Sequence, residues 1–120
     1  KTEVKESEQV ISEESAYTIT QMLTVVGDTM MKTYGLSFPH YSLAVKTGTA
    51  QVALESGGGY YDDKHLHSIF GYFPAYEPRF LVFMYIMDPK GVKYSAQTLS
   101  GPLVNTAKYL STYYNVAPDN

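Results

Sequence analysis

The sequence predicts an α+β fold, in which an antiparallel three-stranded sheet carries one helix before it and one after it, both packed upon it. Two observations support this. Apolar residues recur at three- and four-residue spacing near both ends of the chain. Between those ends lie three runs rich in β-branched and aromatic residues, separated by breaks of turn-forming chemistry. A chain of 120 residues makes one domain at most and can bury about two thirds of its unfolded surface.

The first helix is expected over roughly Glu13 to Lys32. Ser12 is placed to cap it, Glu13 and Glu14 favour the positive end of its dipole, and Ile11 sits where a hydrophobic staple begins. Ala16, Ile19, Leu23, Val26 and Met30 draw its apolar stripe, with Gly27 as its weak point. Tyr34 to Tyr41 contains Gly35 and Pro39 and reads as a connecting loop. Residues 1–11 form a polar lead-in, and residues 12–120 form the structural unit.

Strands are expected at Ser42 to Val52, His65 to Phe73 and Arg79 to Met87. Glu55 to Lys64, with three consecutive glycines and Asp62-Asp63, reads as a long surface loop, and Pro74 to Pro78 is short enough for a hairpin. The third run is apolar on both faces of the pleat, as in a central strand covered on two sides. The last helix is expected to begin near Ser100, with Pro102 in its first turn and Leu103, Ala107, Leu110 and Tyr114 along one face. Asn115 to Asn120 reads as a polar tail.

Composition removes several function classes. The formal net charge is −3 and the nine basic residues are scattered, so no nucleic-acid footprint is present. The chain has no cysteine, which excludes disulfides and thiol-ligated zinc. Its longest apolar run, Phe80 to Met87, falls far short of the roughly 20 residues that cross a bilayer as a helix. Lys1 to Gln9 is charged and lacks an initiating Met or an apolar signal core, so the chain is expected to be a piece of a longer protein.

One segment has residues that packing alone does not ask for. In Val45-Lys46-Thr47-Gly48-Thr49-Ala50-Gln51 a glycine interrupts a strand, which is one way to let a ligand backbone approach. Its neighbours add two hydroxyls, backbone N–H groups and a fixed positive charge, a set suited to a peptide carboxylate or a developing oxyanion. A glycine at a bulge beside solvated Thr and Lys explains the triplet equally well when it is taken alone. His65 and His67 share a strand face near Asp62 and Asp63, which offers a candidate metal site; a strand face at the mouth of a loop explains the same spacing. Tyr60-Tyr61 either lines a groove or covers a hairpin.

The Lys-Thr-Gly strand, the glycine-rich break after it, two more strands and a terminal helix together resemble the last third of the penicillin-recognising enzymes. Gly57 to Lys64, Ser68 to Pro74, Asp88-Pro89-Lys90-Gly91 and Val10 to Ala16 are similar to the matching stretches of class B penicillin-binding proteins of the cell-division type. Thr49-Ala50-Gln51 points the same way. The resemblance implies part of a serine β-lactamase-like transpeptidase fold and the C-terminal part of a peptidoglycan D,D-transpeptidase.

In that family Lys46 would supply positive charge and proton relay beside the nucleophile. Thr47 and Thr49 would hold the carboxylate of the donor peptide or a β-lactam. The Thr49 N–H would be half of the oxyanion hole, and Gly48 would keep the strand open to substrate. No metal or other cofactor is implied. The implied partners are peptidoglycan stem peptides, β-lactam antibiotics, and the missing N-terminal part of the same protein or a second copy joined through residues 80–87. The implied location is the outer face of the bacterial cytoplasmic membrane, with the anchor on the missing part.

The family's Ser-x-x-Lys and Ser-x-Asn motifs occur at no serine of this chain, so the chain alone is expected to be inactive. A penicillin-recognising hydrolase, either β-lactamase or carboxypeptidase, shares the Lys-Thr-Gly strand. A non-catalytic interaction module with a coincidental motif is the alternative from another class.

Overall fold

A computed structural model describes residues 8–120. The expected lead-in therefore falls mostly outside the described residues. Helix α1 spans Glu13–Thr33, strands β1 Ala44–Ala53, β2 Tyr60–Phe73 and β3 Phe80–Met87 follow, and helix α2 spans Ser95–Tyr113. The strands form one antiparallel sheet in the order β1-β2-β3. The α+β prediction is borne out.

Helix α1 starts where the sequence says it should. Ser12 has an extended backbone, and its Oγ accepts from the Ser15 N–H at 3.1 Å. The apolar stripe behaves otherwise. Of its members only Met30 is buried, while Ile19 and Val26 are exposed, as is Ile11 before the cap. The helix instead meets the sheet at Gly27, where a Cβ would stand 2.1 Å from the Leu43 carbonyl oxygen. Gly27 is thus the contact that lets the two backbones approach, not a weak point. Further up the helix, Thr20 Oγ1 and the Tyr72 hydroxyl lie 2.8 Å apart.

Strand β2 begins at Tyr60, five residues before the predicted start at His65. The loop expected over Glu55 to Lys64 shrinks to a turn closed by Leu54 N–H on the Gly59 carbonyl at 3.0 Å. A register shift between Gln51 and Ala53 lets Tyr60 pair with Ala53. Asp62 and Asp63 tolerate the strand because both are exposed. The Lys64 ammonium lies 4.0 Å from the centre of the Tyr61 ring.

Helix α2 also begins five residues early, at Ser95 rather than Ser100, and this leaves Pro102 in its interior. An interior proline costs about 3 kcal/mol. The extra turn is held from outside by Thr49, whose Oγ1 accepts from the Ser95 N–H at 3.0 Å, and from within by Gln97, whose Oε1 accepts from the Tyr94 N–H at 3.2 Å. Burial of Leu99, Leu103, Val104 and Ala107 adds to this, at roughly 1.5–3 kcal/mol for each fully buried Leu or Val.

Paired residues of adjacent strands share a face of the sheet. Val45 with Gly71 and Val82, Thr47 with Ile69 and Met84, and Thr49 with His67 and Ile86 make the helix-covered face. The core forms there, where Val45, Ile69 and Phe73 pack with Met30 of α1 and with Leu99, Leu103, Val104 and Ala107 of α2. The opposite face carries Lys46, Phe70 and Phe83 in one row and Gly48, Ser68 and Tyr85 in the next. On β3, Leu81, Phe83, Tyr85 and Met87 of that face are each more than 60% exposed. The central-strand reading of Phe80 to Met87 therefore does not hold within this chain, where β3 is a sheet edge.

The polar tail, Asn115 to Asn120, is fastened to the residues that lead into the sheet. Tyr41 donates its hydroxyl to the Val116 carbonyl at 2.8 Å, and Val116 is buried. The Asp119 carboxylate accepts from the Ser42 N–H at 2.8 Å and from the Ser42 hydroxyl.

Candidate functional site: the outer edge of strand β1

Which backbone groups of β1 are free follows from one bond. Asp88 N–H donates to the His65 carbonyl at 2.7 Å, across the pair that continues Leu66↔Met87. Opposed residues of an antiparallel ladder alternate between bonded and non-bonded pairs. His65, His67, Ile69 and Gly71 therefore turn N–H and C=O toward β3, while Leu66, Ser68, Phe70 and Tyr72 turn theirs toward β1. Their partners Ala50, Gly48, Lys46 and Ala44 are satisfied inside the sheet. Val45, Thr47 and Thr49 point theirs outward.

Two contacts agree with this parity. Lys46 Nζ donates to the outward Thr47 carbonyl at 2.6 Å, and α1 presses on the carbonyl of Leu43, which has the same parity. The edge is thus closed by α1 at its beginning and open from Thr47 to Thr49. By the same rule Leu81, Phe83, Tyr85 and Met87 send their backbone groups to the outer edge of β3.

The predicted site residues lie together on this open edge. Lys46 is exposed on the face away from the helices, and among the described residues it pairs with no carboxylate. Thr47 and Thr49 rise from the other face. Thr47 borders an open hollow of about 320 Å³ with Val26, Met30 and Ala96. The Thr49 hydroxyl accepts from the first N–H of α2. Gly48 has a structural reason besides access, because a Cβ there would come 2.6 Å from Ser68 Oγ on the neighbouring strand.

The other candidates separate. His67 is fully buried, with Nδ1 3.0 Å from Thr98 Oγ1 and Nε2 3.0 Å from the Lys93 carbonyl. Both ring nitrogens are engaged by the protein, so His65 and His67 do not offer a pair of metal ligands. Among the described residues no group of three or more His, Asp or Glu side chains is placed to hold a metal ion. Tyr60 is exposed at the far end of the β1–β2 hairpin. In the Asp88 to Gly91 turn, the hydrogen bond to Asp88 raises the Lys90 ammonium above the usual lysine range.

Sequence reasoning missed the contacts of His67, Ser95 and Thr98. The signal was present, since His67 shares the parity of the buried Ile69, Gly71 and Phe73.

The fold and this edge define a class, an antiparallel sheet backed by helices with a Lys-Thr-Gly-Thr strand open on one side. Residues 1–108 match the family described as the penicillin binding protein transpeptidase domain. The chain is 31% identical over 114 residues to the peptidoglycan D,D-transpeptidase FtsI of Buchnera aphidicola subsp. Baizongia pistaciae, which covers 94% of the chain and 19% of that protein. It is 33% identical over 97 residues to stage V sporulation protein D of Bacillus subtilis, covering 80% of the chain and 14% of that protein. Among solved structures, penicillin binding protein 3 of Mycobacterium tuberculosis complexed with ampicillin superposes with a TM-score of 0.77 at 26% identity, over 98% of this chain and 28% of that one. Its complex with aztreonam gives 0.76 at 27% identity, over 99% and 29%. The chain belongs to the penicillin-binding protein transpeptidase domain family. It spans less than a fifth of the length of these two curated relatives.

Proposed function

We propose that residues 12–120 form one wall of the active site of a peptidoglycan D,D-transpeptidase, with the nucleophilic serine on another part of the polypeptide. The observation that carries this is the open edge of β1, where the outward Thr49 N–H stands between the Lys46 charge and the Thr49 hydroxyl. An extended stem peptide can add to such an edge as a further strand, with main-chain bonds giving affinity and side-chain contacts giving choice.

In this reading the serine Oγ attacks the carbonyl carbon of the penultimate D-Ala. The Thr49 N–H receives the oxygen that becomes negative, and the nucleophile's own N–H completes the pair of donors. The peptide C–N bond then breaks, the terminal D-Ala leaves as the amine with a proton, and an acyl-enzyme remains. An amine of a neighbouring stem attacks the ester, the new amide forms and the serine regains its proton. Lys46 supports proton movement at the serine and lowers the cost of the negative oxygen. Thr47 and Thr49 hydroxyls hold the donor carboxylate, and Gly48 leaves the strand without a side chain there. A β-lactam would acylate the same serine. The chemistry belongs on the outer face of the cytoplasmic membrane, where the cross-links are made.

The remainder of the polypeptide would lie against β3. Lys46 shares a row with Phe70 and Phe83, so a body covering that apolar face also arrives beside Lys46, where the serine has to be. Produced alone, the chain is expected to sediment above its monomer mass by pairing through Phe80 to Met87. A monomer with that strand in water counts against the reading.

The test is labelling of the intact protein with a fluorescent penicillin. A single stable adduct is expected in the wild type, and Lys46→Met should slow its formation by roughly 100-fold or more, in line with loss of a proton-transfer partner. Rapid release of hydrolysed penicillin would make the protein a hydrolase instead. No adduct at all would leave a non-catalytic module.

A further inference from the structure

We infer that His67 is a positioning residue, which holds the first turn of α2 against Thr49 so that the Thr49 hydroxyl is left with its proton free for a carboxylate of the ligand. The inference rests on the acyl-transfer reading above. His67 and Thr49 are directly opposed in the β1–β2 register and share the helix-covered face. Each grips the start of α2 from below. Thr49 Oγ1 accepts from the Ser95 N–H at 3.0 Å, and the His67 ring reaches the Lys93 carbonyl and the Thr98 hydroxyl, each at 3.0 Å.

The direction of each bond fixes what Thr49 can do. A carbonyl only accepts, so His67 Nε2 carries a hydrogen toward Lys93. An amide N–H only donates, so Thr49 spends a lone pair on Ser95 and keeps its O–H for another partner. Among the described residues nothing accepts that proton, and Thr49 is exposed at the open edge. The first N–H groups of a helix also bring partial positive charge to the spot. A hydroxyl held this way is a donor aimed at an anion, and the anion that fits is a carboxylate carried by an extended peptide or a β-lactam.

The Thr98 hydroxyl lies 3.0 Å from both His67 Nδ1 and the Ser95 carbonyl. With the ring hydrogen on Nε2, Nδ1 and the Ser95 carbonyl share the single Thr98 proton, which sets Thr98 between the ring and the residue whose N–H donates to Thr49. Loss of the ring would let residues 93–98 move, and Thr49 could then rotate its proton onto a carbonyl of its own chain.

The test compares benzylpenicillin with its methyl ester on the intact protein, wild type and His67→Ala. Only the free acid presents a carboxylate. Acylation by the acid is expected to fall about tenfold in His67→Ala, chiefly through weaker initial binding, while acylation by the ester changes by less than about twofold. Thr49→Val should lose a similar factor for the acid alone, and the double variant should be no worse than the worse single one. His67→Gln, which can still donate toward Lys93, should recover most of the loss. Should His67→Ala fail to fold, Thr98→Val removes the same link with little change of shape and carries the same expectation. Equal losses for acid and ester, or effects of His67 and Thr49 that multiply, overturn the inference. Absence of any penicillin adduct in the wild type would instead overturn the function on which it rests.

Discussion

The sheet has two outer edges, and they are built in opposite ways. Along β1 the free stretch is short and polar, with a lysine, two threonines and a glycine, and α1 closes it at Leu43. Along β3 the free stretch runs the whole strand, and its outward residues Leu81, Phe83, Tyr85 and Met87 are apolar and exposed. Natural sheets protect an edge that must live in water with charge, bulges or cover. The β1 edge has such protection and can meet a ligand reversibly. Among the described residues the β3 edge has none, which fits a strand meant to be covered permanently.

The contrast can be broken most sharply at Phe83. In the intact protein Phe83→Glu should cost about 3 kcal/mol or more, because a carboxylate would be buried beneath the covering part; thermal unfolding reads this as a clear drop in Tm. An unchanged Tm would mean that the β3 face stays wet, and the two edges would then be alike. Next in size is Gly27→Ala. Its Cβ would collide with backbone rather than a movable side chain, so about 2 kcal/mol is expected from urea unfolding. A neutral result would show that α1 does not close the beginning of the β1 edge.

A smaller loss, about 1 kcal/mol, is expected for Gly48→Ala, since the group it meets is the Ser68 hydroxyl, which can rotate away. Acylation by penicillin should suffer more than stability if a ligand approaches that strand. Lys46→Met should leave Tm within about 0.5 kcal/mol equivalent, for Lys46 is exposed and unpaired with any carboxylate among the described residues. A large loss of stability there would turn the polar edge into a structural feature and remove the contrast from the other side.

Much of this was legible in the sequence where local chemistry decides. Ser12 caps α1 through its own hydroxyl, and the Lys-Thr-Gly-Thr strand sits on a sheet as its residue types require. That residues 80–87 would meet another part or copy was implied by the family resemblance, whereas the apolar pattern on its own reads as a central strand. What could not be read depends on partners distant in sequence. The start of α2 is held in part by Thr49, 46 residues away, and the one local signal is Gln97, which accepts from the Tyr94 N–H. Gly27 looks like a helix flaw until the Leu43 carbonyl is placed against it. The early start of β2 hides behind Asp62 and Asp63, which lie in the irregular stretch between the pairs Ala53↔Tyr60 and Gln51↔His65 and have low strand preference.

The fastening of the C-terminal segment bears on the motif at a distance. Ser42 holds Asp119 through its N–H and hydroxyl, and its own carbonyl and Oγ accept from the Ala75 N–H at 3.1 and 2.8 Å. Three stretches of chain therefore meet at one serine two residues before β1. A slip of β1 by a single residue would exchange the faces of Lys46 and Thr47 and turn the Thr49 N–H into the sheet. Ser42 works as an index pin: it sets the alignment of a strand whose chemistry lies several residues further on.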